Sequence, residues 1–181
     1  MAHSQDRRSL LRWATHGLGA VFAAVLGFPV VCYLADPRNR KGKASDFIRA
    51  EGIRLDDDNF QKDPPLPVQG VIRTVRVDGW TLHPSDVVGR VWVVKDAAAP
   101  NGFRVFTTIC PHLGCSVNLA DDHFACPCHN AEFDFRGAAI GGPAPRGMDQ
   151  LEWQPDPTDP QRILVHYRNF RAGVEEQDEI R

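Results

Sequence analysis

The sequence predicts an all-β head, a small antiparallel sandwich or barrel with loops inserted between its strands, behind one N-terminal transmembrane α-helix. Three observations carry that prediction. A long apolar stretch stands close to the N-terminus; short apolar runs separated by turn residues fill the chain from Val68 onward; and Cys110, Cys115, Cys126 and Cys128 crowd into nineteen residues with His112 and His129 beside them. The 181 residues leave room for one ordinary domain plus an extension, and 43% hydrophobic with 24% charged residues is normal for a folded protein. Fourteen prolines and fifteen glycines favour short strands and loops over a helical bundle. A net charge of −2 supplies no basic surface for nucleic acid.

Trp13 to Ala35 contains no Asp, Glu, Lys or Arg, and His16 alone titrates near neutral pH. As a helix, 23 residues reach about 34 Å, enough for a bilayer core of about 30 Å. Gly17, Gly19, Gly27 and Pro29 would weaken a soluble helix but are tolerated in a membrane. A buried core helix fails on length and on position. A cleaved signal peptide fits less well than a retained anchor, because the run is long and no small-x-small site follows it directly. Cys32 within it reads as a small apolar residue.

Arg7-Arg8 precedes the run with Ser9-Leu10-Leu11 after it, a pattern similar to a twin-arginine export signal. Arg38, Arg40, Lys41 and Lys43 balance Arg7, Arg8 and Arg12, so loop charge does not set the orientation. The export pattern puts the N-terminus in the cytoplasm and the head outside. Residues 1–12 are thus a cytoplasmic signal region, 13–35 the anchor and 36–67 a tether or hinge. The tether opens too polar to pack, is expected to hold a short helix around Phe47–Ile53, and closes on the stiff Pro64-Pro65-Leu66-Pro67. It reads equally as a plain solvated linker or as a hinge.

The head occupies 68–170, and 171–181 reads as a C-terminal tail. Strands are expected at Val71–Val77, Arg90–Lys95, Phe103–Thr108, His123–Cys126, Glu132–Phe135 and Ile163–Tyr167. Asp78-Gly79, Asn101-Gly102 and Gly141-Gly142-Pro143 mark turns among them.

Chemistry concentrates in Cys110-Pro111-His112-Leu113-Gly114-Cys115 and Cys126-Pro127-Cys128-His129. Each segment offers a Cys and a His near enough to share one metal centre. A pair of disulfides with incidental histidines is the plain alternative. Tetrahedral zinc also accepts Cys and His, although repeated C-x2-C or H-x3-H pairs are its commoner spacing. Two sulfurs and two imidazoles divided evenly between loops suit a 2Fe–2S cluster with thiolates on one iron and imidazoles on the other.

These loops resemble those of the Rieske family, in particular the iron–sulfur subunits of quinol:cytochrome c oxidoreductases, over residues 68 to about 170. The resemblance implies Cys110 and Cys126 on one iron, His112 and His129 on the other, and a Cys115–Cys128 disulfide bridging the loops. It identifies Gly142-Pro143-Ala144-Pro145 with the family's proline loop over the cluster, and puts His129, His112 and Leu113 at the quinol-facing surface. Imidazole ligands leave the cluster less negative than four thiolates would, so it accepts an electron more readily. Potentials of about −150 to +300 mV are typical of such centres, against about −400 mV for plant-type ferredoxins. Oxidation lowers the imidazole pKa values, so electron and proton leave a quinol together and the two histidines titrate as a coupled pair. His3, His16, His83, His123 and His166 are read as surface or packing residues.

Two departures from the family pattern stand out. Ala131 replaces the usual serine after the second loop, and Phe133 replaces the usual tyrosine, so two hydroxyls that reach the cluster sulfurs or a ligating thiolate are missing. Pro111 also stands where Thr is usual. A lower potential and a menaquinol donor are expected. The implied setting is a single-pass protein of a bacterial inner membrane, head on the periplasmic side, in a dimeric cytochrome bc-type complex. Its partners would be cytochrome b, a cytochrome c-type haem protein, the membrane quinol and the lipid bilayer. The alternatives are the Rieske small subunit of an arsenite-oxidase-like molybdoenzyme and a zinc-bound anchor without a redox role.

Overall fold

The structure, a computed structural model, describes residues 3–39, 47–78 and 80–180. It divides into two units: residues 1–43 with 77–83, and residues 44–76 with 84–181.

In the first unit α1 (His3–Asn39) is a single 37-residue helix. Its Arg7–Ala35 portion, 29 residues, is long and apolar enough to cross a membrane. Leu18, Phe22, Val25 and Val31 are exposed on it, and so apolar a surface left exposed among the described residues suits lipid. The helix begins before the 23-residue run expected from composition, because no residue from Ser4 to Arg12 interrupts helical geometry, so Arg7, Arg8 and Arg12 ride on it. Trp80, which belongs to this unit, stacks on Tyr33 with ring centroids 5.0 Å apart and donates its Nε1–H to the Tyr33 carbonyl. The tether is expected to start at Asp36, but residues 36–39 continue α1 instead; its residues 40–46, and Gly79 of the expected Asp78-Gly79 turn, lie outside the described residues.

The described residues hold twelve strands. They are β1 (Ile48–Glu51), β2 (Val68–Asp78), β3 (Thr81–Lys95), β4 (Phe103–Thr107), β5 (Asn118–Leu119), β6 (Phe124–Cys126), β7 (Ala131–Phe133), β8 (Ala139–Gly141), β9 (Trp153–Asp156), β10 (Asp159–Val165), β11 (Asn169–Phe170) and β12 (Glu179–Ile180). All lie in the second unit apart from the last residues of β2 and the first of β3, which fall in the first. Six of them form one sheet in the order β4-β3-β2-β1-β10-β9, four form β5-β6-β7-β8, and β11 pairs with β12. The large sheet nearly closes into a barrel. The chain just before β9 bonds to the far edge, with Leu151 N–H to Val105 O at 2.8 Å and Thr107 N–H to Asp149 O at 3.0 Å.

The run Val91-Trp92-Val93-Val94 is apolar at every position because both faces of β3 are covered. With a side-chain period of two, Val91, Val93 and Val105 enter a first core with Ile72, Ile163 and Phe60. Trp92, Val94 and Phe106 enter a second core with Phe124, Phe133 and Met148. Strands β3 and β4 are therefore the wall between two cores, and the second core lies against the four-stranded sheet.

The helix expected around Phe47–Ile53 is instead strand β1. It lies between β2 and β10, pairing Ala50 with Ile72 and Ile48 with Val165. Seven residues with Gly52 near their end cannot nucleate a helix, whereas two open strand edges supply ladder bonds. The expected tether thus joins the head from Phe47 on, with Ala50, Ile53 and Phe60 all within 2% exposure in the first core. The expected tail also folds back: Asn169 pairs with Ile180 and Phe170 with Glu179.

Candidate metal centre

Strand β4 delivers the first loop and β6 the second. Cys110 N–H donates to Cys115 O at 2.7 Å and Gly114 N–H to Cys110 O at 2.9 Å, which coils the first loop into a tight turn. Gly114 sits at φ +80, a conformation open to glycine. The neck of the loop is fixed twice: Val117 N–H meets Thr108 O at 2.7 Å, and the buried Trp92 indole donates to Val117 O at 3.0 Å. The second loop is only Pro127 to Asn130, between β6 and β7, and Asn130 takes the positive φ of 53 that closes it.

Cys110 and Cys126 are buried at 1% and 2% exposure as members of the second core. His112 is half-buried and His129 exposed. Their rings come within 4.8 Å, centroid to centroid, at right angles. Leu113 beside them is 62% exposed. Cys115 and Cys128 form a disulfide, and their sulfurs lie within 4.8 Å of the Cys126 sulfur. Among the described residues of the head this leaves two free thiols, Cys110 and Cys126. Burial pushes the Cys110 thiol up to about 11; the neighbouring Cys126 acts in the same direction, while the amides of His112 and Leu113 pull against it. Held as a metal-bound thiolate, the Cys110 sulfur would be favoured by the two amide N–H groups that already face it.

The side chains that could hold a metal group here are therefore two buried thiols and two imidazoles, one of each from each loop, with the remaining sulfurs locked together. They fit a 2Fe–2S group with mixed ligation. The expected proline loop, 142–145, packs beside the second loop. Gly142, at φ +79, lies so close to the second loop that a Cβ there would stand 2.2 Å from Asn130 O and 2.6 Å from Ala131 Cα. Ala131 is the strand partner of Cys126 and Phe133 that of Phe124, both fully buried, and neither carries a donor.

Several supports of the centre were not foreseen from sequence: Trp92 at the neck, and Arg146 with Asp149 just beyond the proline loop. Arg146 and Asp149 form a bidentate pair at 2.9 and 2.8 Å. Opposite charges three residues apart in Arg146-Gly147-Met148-Asp149 were the one available signal.

Residues 68–152 match the Rieske 2Fe–2S domain family. The menaquinol:cytochrome c reductase iron–sulfur subunit of Bacillus subtilis is 28% identical over 150 residues, 79% of this chain and 81% of that one. The cytochrome b6-f complex iron–sulfur subunit of Chlorobaculum thiosulfatiphilum is 31% identical over 154 residues, 81% of this chain and 69% of that one. Iron–sulfur subunit 1 of the same complex in Trichormus variabilis is 45% identical over 146 residues, 78% of this chain and 75% of that one. With its paired Cys and His loops, bridging disulfide and apolar N-terminal helix, the chain belongs to the Rieske iron–sulfur proteins of the cytochrome bc type.

Proposed function

We propose that the chain is the electron-transfer subunit of a quinol:cytochrome c oxidoreductase, taking electrons from a membrane quinol, specifically menaquinol, and passing them to a cytochrome c-type haem. The observation that carries this reading is that each of two neighbouring loops supplies one buried thiol and one imidazole, the two imidazole rings lying 4.8 Å apart with His129 exposed. Cys110, Cys126, His112 and His129 would hold the group. When bound, a 2Fe–2S cluster supplies a one-electron acceptor whose charge is felt by its imidazole ligands. The exposed His129 presents its remaining ring nitrogen to the donor and takes the quinol proton there, with His112 coupled to it. Leu113 offers apolar surface for the quinone ring and excludes water from the contact. The disulfide and proline loop hold the two loops in register and cover the buried sulfurs.

The setting proposed is a bacterial inner membrane, crossed once by α1, with the head on the periplasmic side and export directed by Arg7-Arg8. Cytochrome b supplies the quinol pocket in a dimeric complex. The relatives favour this reading over a molybdoenzyme subunit, since those named are subunits of quinol and cytochrome complexes. Menaquinol is supported by the absent hydroxyls at Ala131 and Phe133, which leave the cluster less able to hold an electron. The test is the purified membrane complex with and without His129→Ala: the wild type should show a Rieske electron paramagnetic resonance (EPR) signal and menaquinol-dependent cytochrome c reduction, and the variant neither. A variant that keeps the signal would overturn the ligand set; co-purification with a molybdenum subunit in place of cytochrome b would overturn the partner.

A further inference from the structure

We infer that Arg146 is a positioning residue for the metal centre, and that segment 171–178 is a strap through which it joins the two cluster loops independently of the disulfide. Arg146 directly follows the proline loop, and its side chain is only 10% exposed. Its guanidinium meets Asp149 bidentately, donates Nη1–H to Val174 O at 2.5 Å and donates Nη2–H to Arg171 O at 2.9 Å. Four donors of one planar group are thus spent on a carboxylate and two backbone carbonyls, a geometry a lysine cannot reproduce. Asp149 itself is fixed to the root of the first loop, since its carbonyl accepts Thr107 N–H at 3.0 Å.

The strap is held at its base by the β11–β12 pair and by Arg171 N–H to Asp178 O at 2.8 Å. At its tip Gly173 donates to Pro111 O at 2.8 Å, between the donors Cys110 and His112. Gly173 adopts φ +79, and a Cβ added there would stand 3.6 Å from His112 O. On the other side, Gly142 of the proline loop presses on Asn130 and Ala131 of the second loop. A continuous set of contacts therefore runs from the second loop through the proline loop, Arg146 and Gly173 to the first loop. The disulfide joins the same two loops by a separate route. A centre with one ligand pair on each loop loses its group when the loops part, so each link should slow that parting.

The inference rests on the assignment of the centre to Cys110, His112, Cys126 and His129. It is tested on the full-length chain in detergent by following cluster loss to a chelator, the EPR linewidth and thermal unfolding of R146Q, G173P and the double variant, each with and without C115S/C128S. Proline removes the Gly173 donor and cannot adopt its φ, on an exposed turn away from both cores. Cluster loss should quicken about tenfold in either variant, equivalent to about 1.4 kcal/mol of lost restraint, with no further gain in the double variant. The EPR line should broaden in step, and the effect should be larger once the disulfide is removed. If R146Q does not fold, G173P alone decides. Wild-type cluster loss and linewidth in G173P would overturn the strap, whatever R146Q does. A wild-type chain without a Rieske spectrum would instead overturn the assignment of the centre.

Discussion

Restoring a hydroxyl at position 131 should raise the midpoint potential. Ala131 lies directly opposite Cys126 in the β6–β7 ladder, both side chains buried within the second core. Facing residues in such a ladder hold their Cβ atoms about 4.5–5.5 Å apart, which puts a serine Oγ on residue 131 within hydrogen-bonding reach of the Cys126 sulfur. A hydrogen bond to sulfur favours the reduced state, which carries one more negative charge. If the bond is stronger by about 1 kcal/mol in the reduced form, the potential rises by about 40 mV, because 59 mV corresponds to about 1.4 kcal/mol for one electron. Phe133→Tyr tests the same idea from a fully buried ring. A hydroxyl there that finds no partner costs about 1–3 kcal/mol of stability and leaves the potential unmoved, so unfolding is followed alongside. Protein-film voltammetry at one fixed pH compares wild type, both variants and the pair. A wild-type potential already near the top of the Rieske range, or no upward shift in either variant, refutes the reasoning and with it the argument for menaquinol.

Replacing Cys115 and Cys128 together by serine removes a link of sequence separation 13 and should cost about 3 kcal/mol by chain entropy, read as a lower denaturant midpoint and faster cluster loss. An unchanged midpoint would show that the link does not restrain the unfolded chain. Hydrogen bonds from the Thr158 hydroxyl and amide, then the Arg49 guanidinium, hold the Asp156 carboxyl down to about 2. A folded pKa below the unfolded value of about 3.9 gives a contribution that is complete above about pH 4 and lost as pH falls toward 2. Asp156→Asn should therefore lower stability at neutral pH and flatten its acid dependence in that window, measured by thermal melts across pH 2–6; a parallel dependence in both proteins would contradict the assignment. Changing Arg7 and Arg8 to lysine preserves charge yet should strand the head in the cytoplasm, seen by fractionation, and normal delivery would point to a different export route.

The grouping of cysteines and histidines on two neighbouring loops was legible in the sequence because each loop is short and carries its Cys and His within four positions. Loop closure is then local, and the strands on either side bring the two loops together. The core strands were legible for a related reason. Val91-Trp92-Val93-Val94 has no amphipathic period, and a run of that length flanked by turn residues suits a strand covered on both faces. What escaped is what depends on distant partners. Ile48-Arg49-Ala50-Glu51 satisfies a strand period and a helical one about equally, and pairing with Val165, well over a hundred residues away, decides it. Strands β11 and β12 are two residues each and carry no period at all. The side chain of Arg146 could be matched to Asp149 by spacing, but its other acceptors are backbone carbonyls, which every residue has and no sequence marks.

The wall formed by β3 and β4 separates two kinds of mutational freedom. Side chains on one of its faces pack in a core without cysteine, so their drift in size is registered mainly as stability. Those on the opposite face share a core with Cys110 and Cys126, so the same drift also reaches those two thiols. Because alternate residues of a single strand point to opposite faces, neighbouring positions such as Val93 and Val94 answer to different constraints. A lineage of such chains can retune the temperature at which the barrel melts without retuning the centre it carries, provided the changes fall on every second residue.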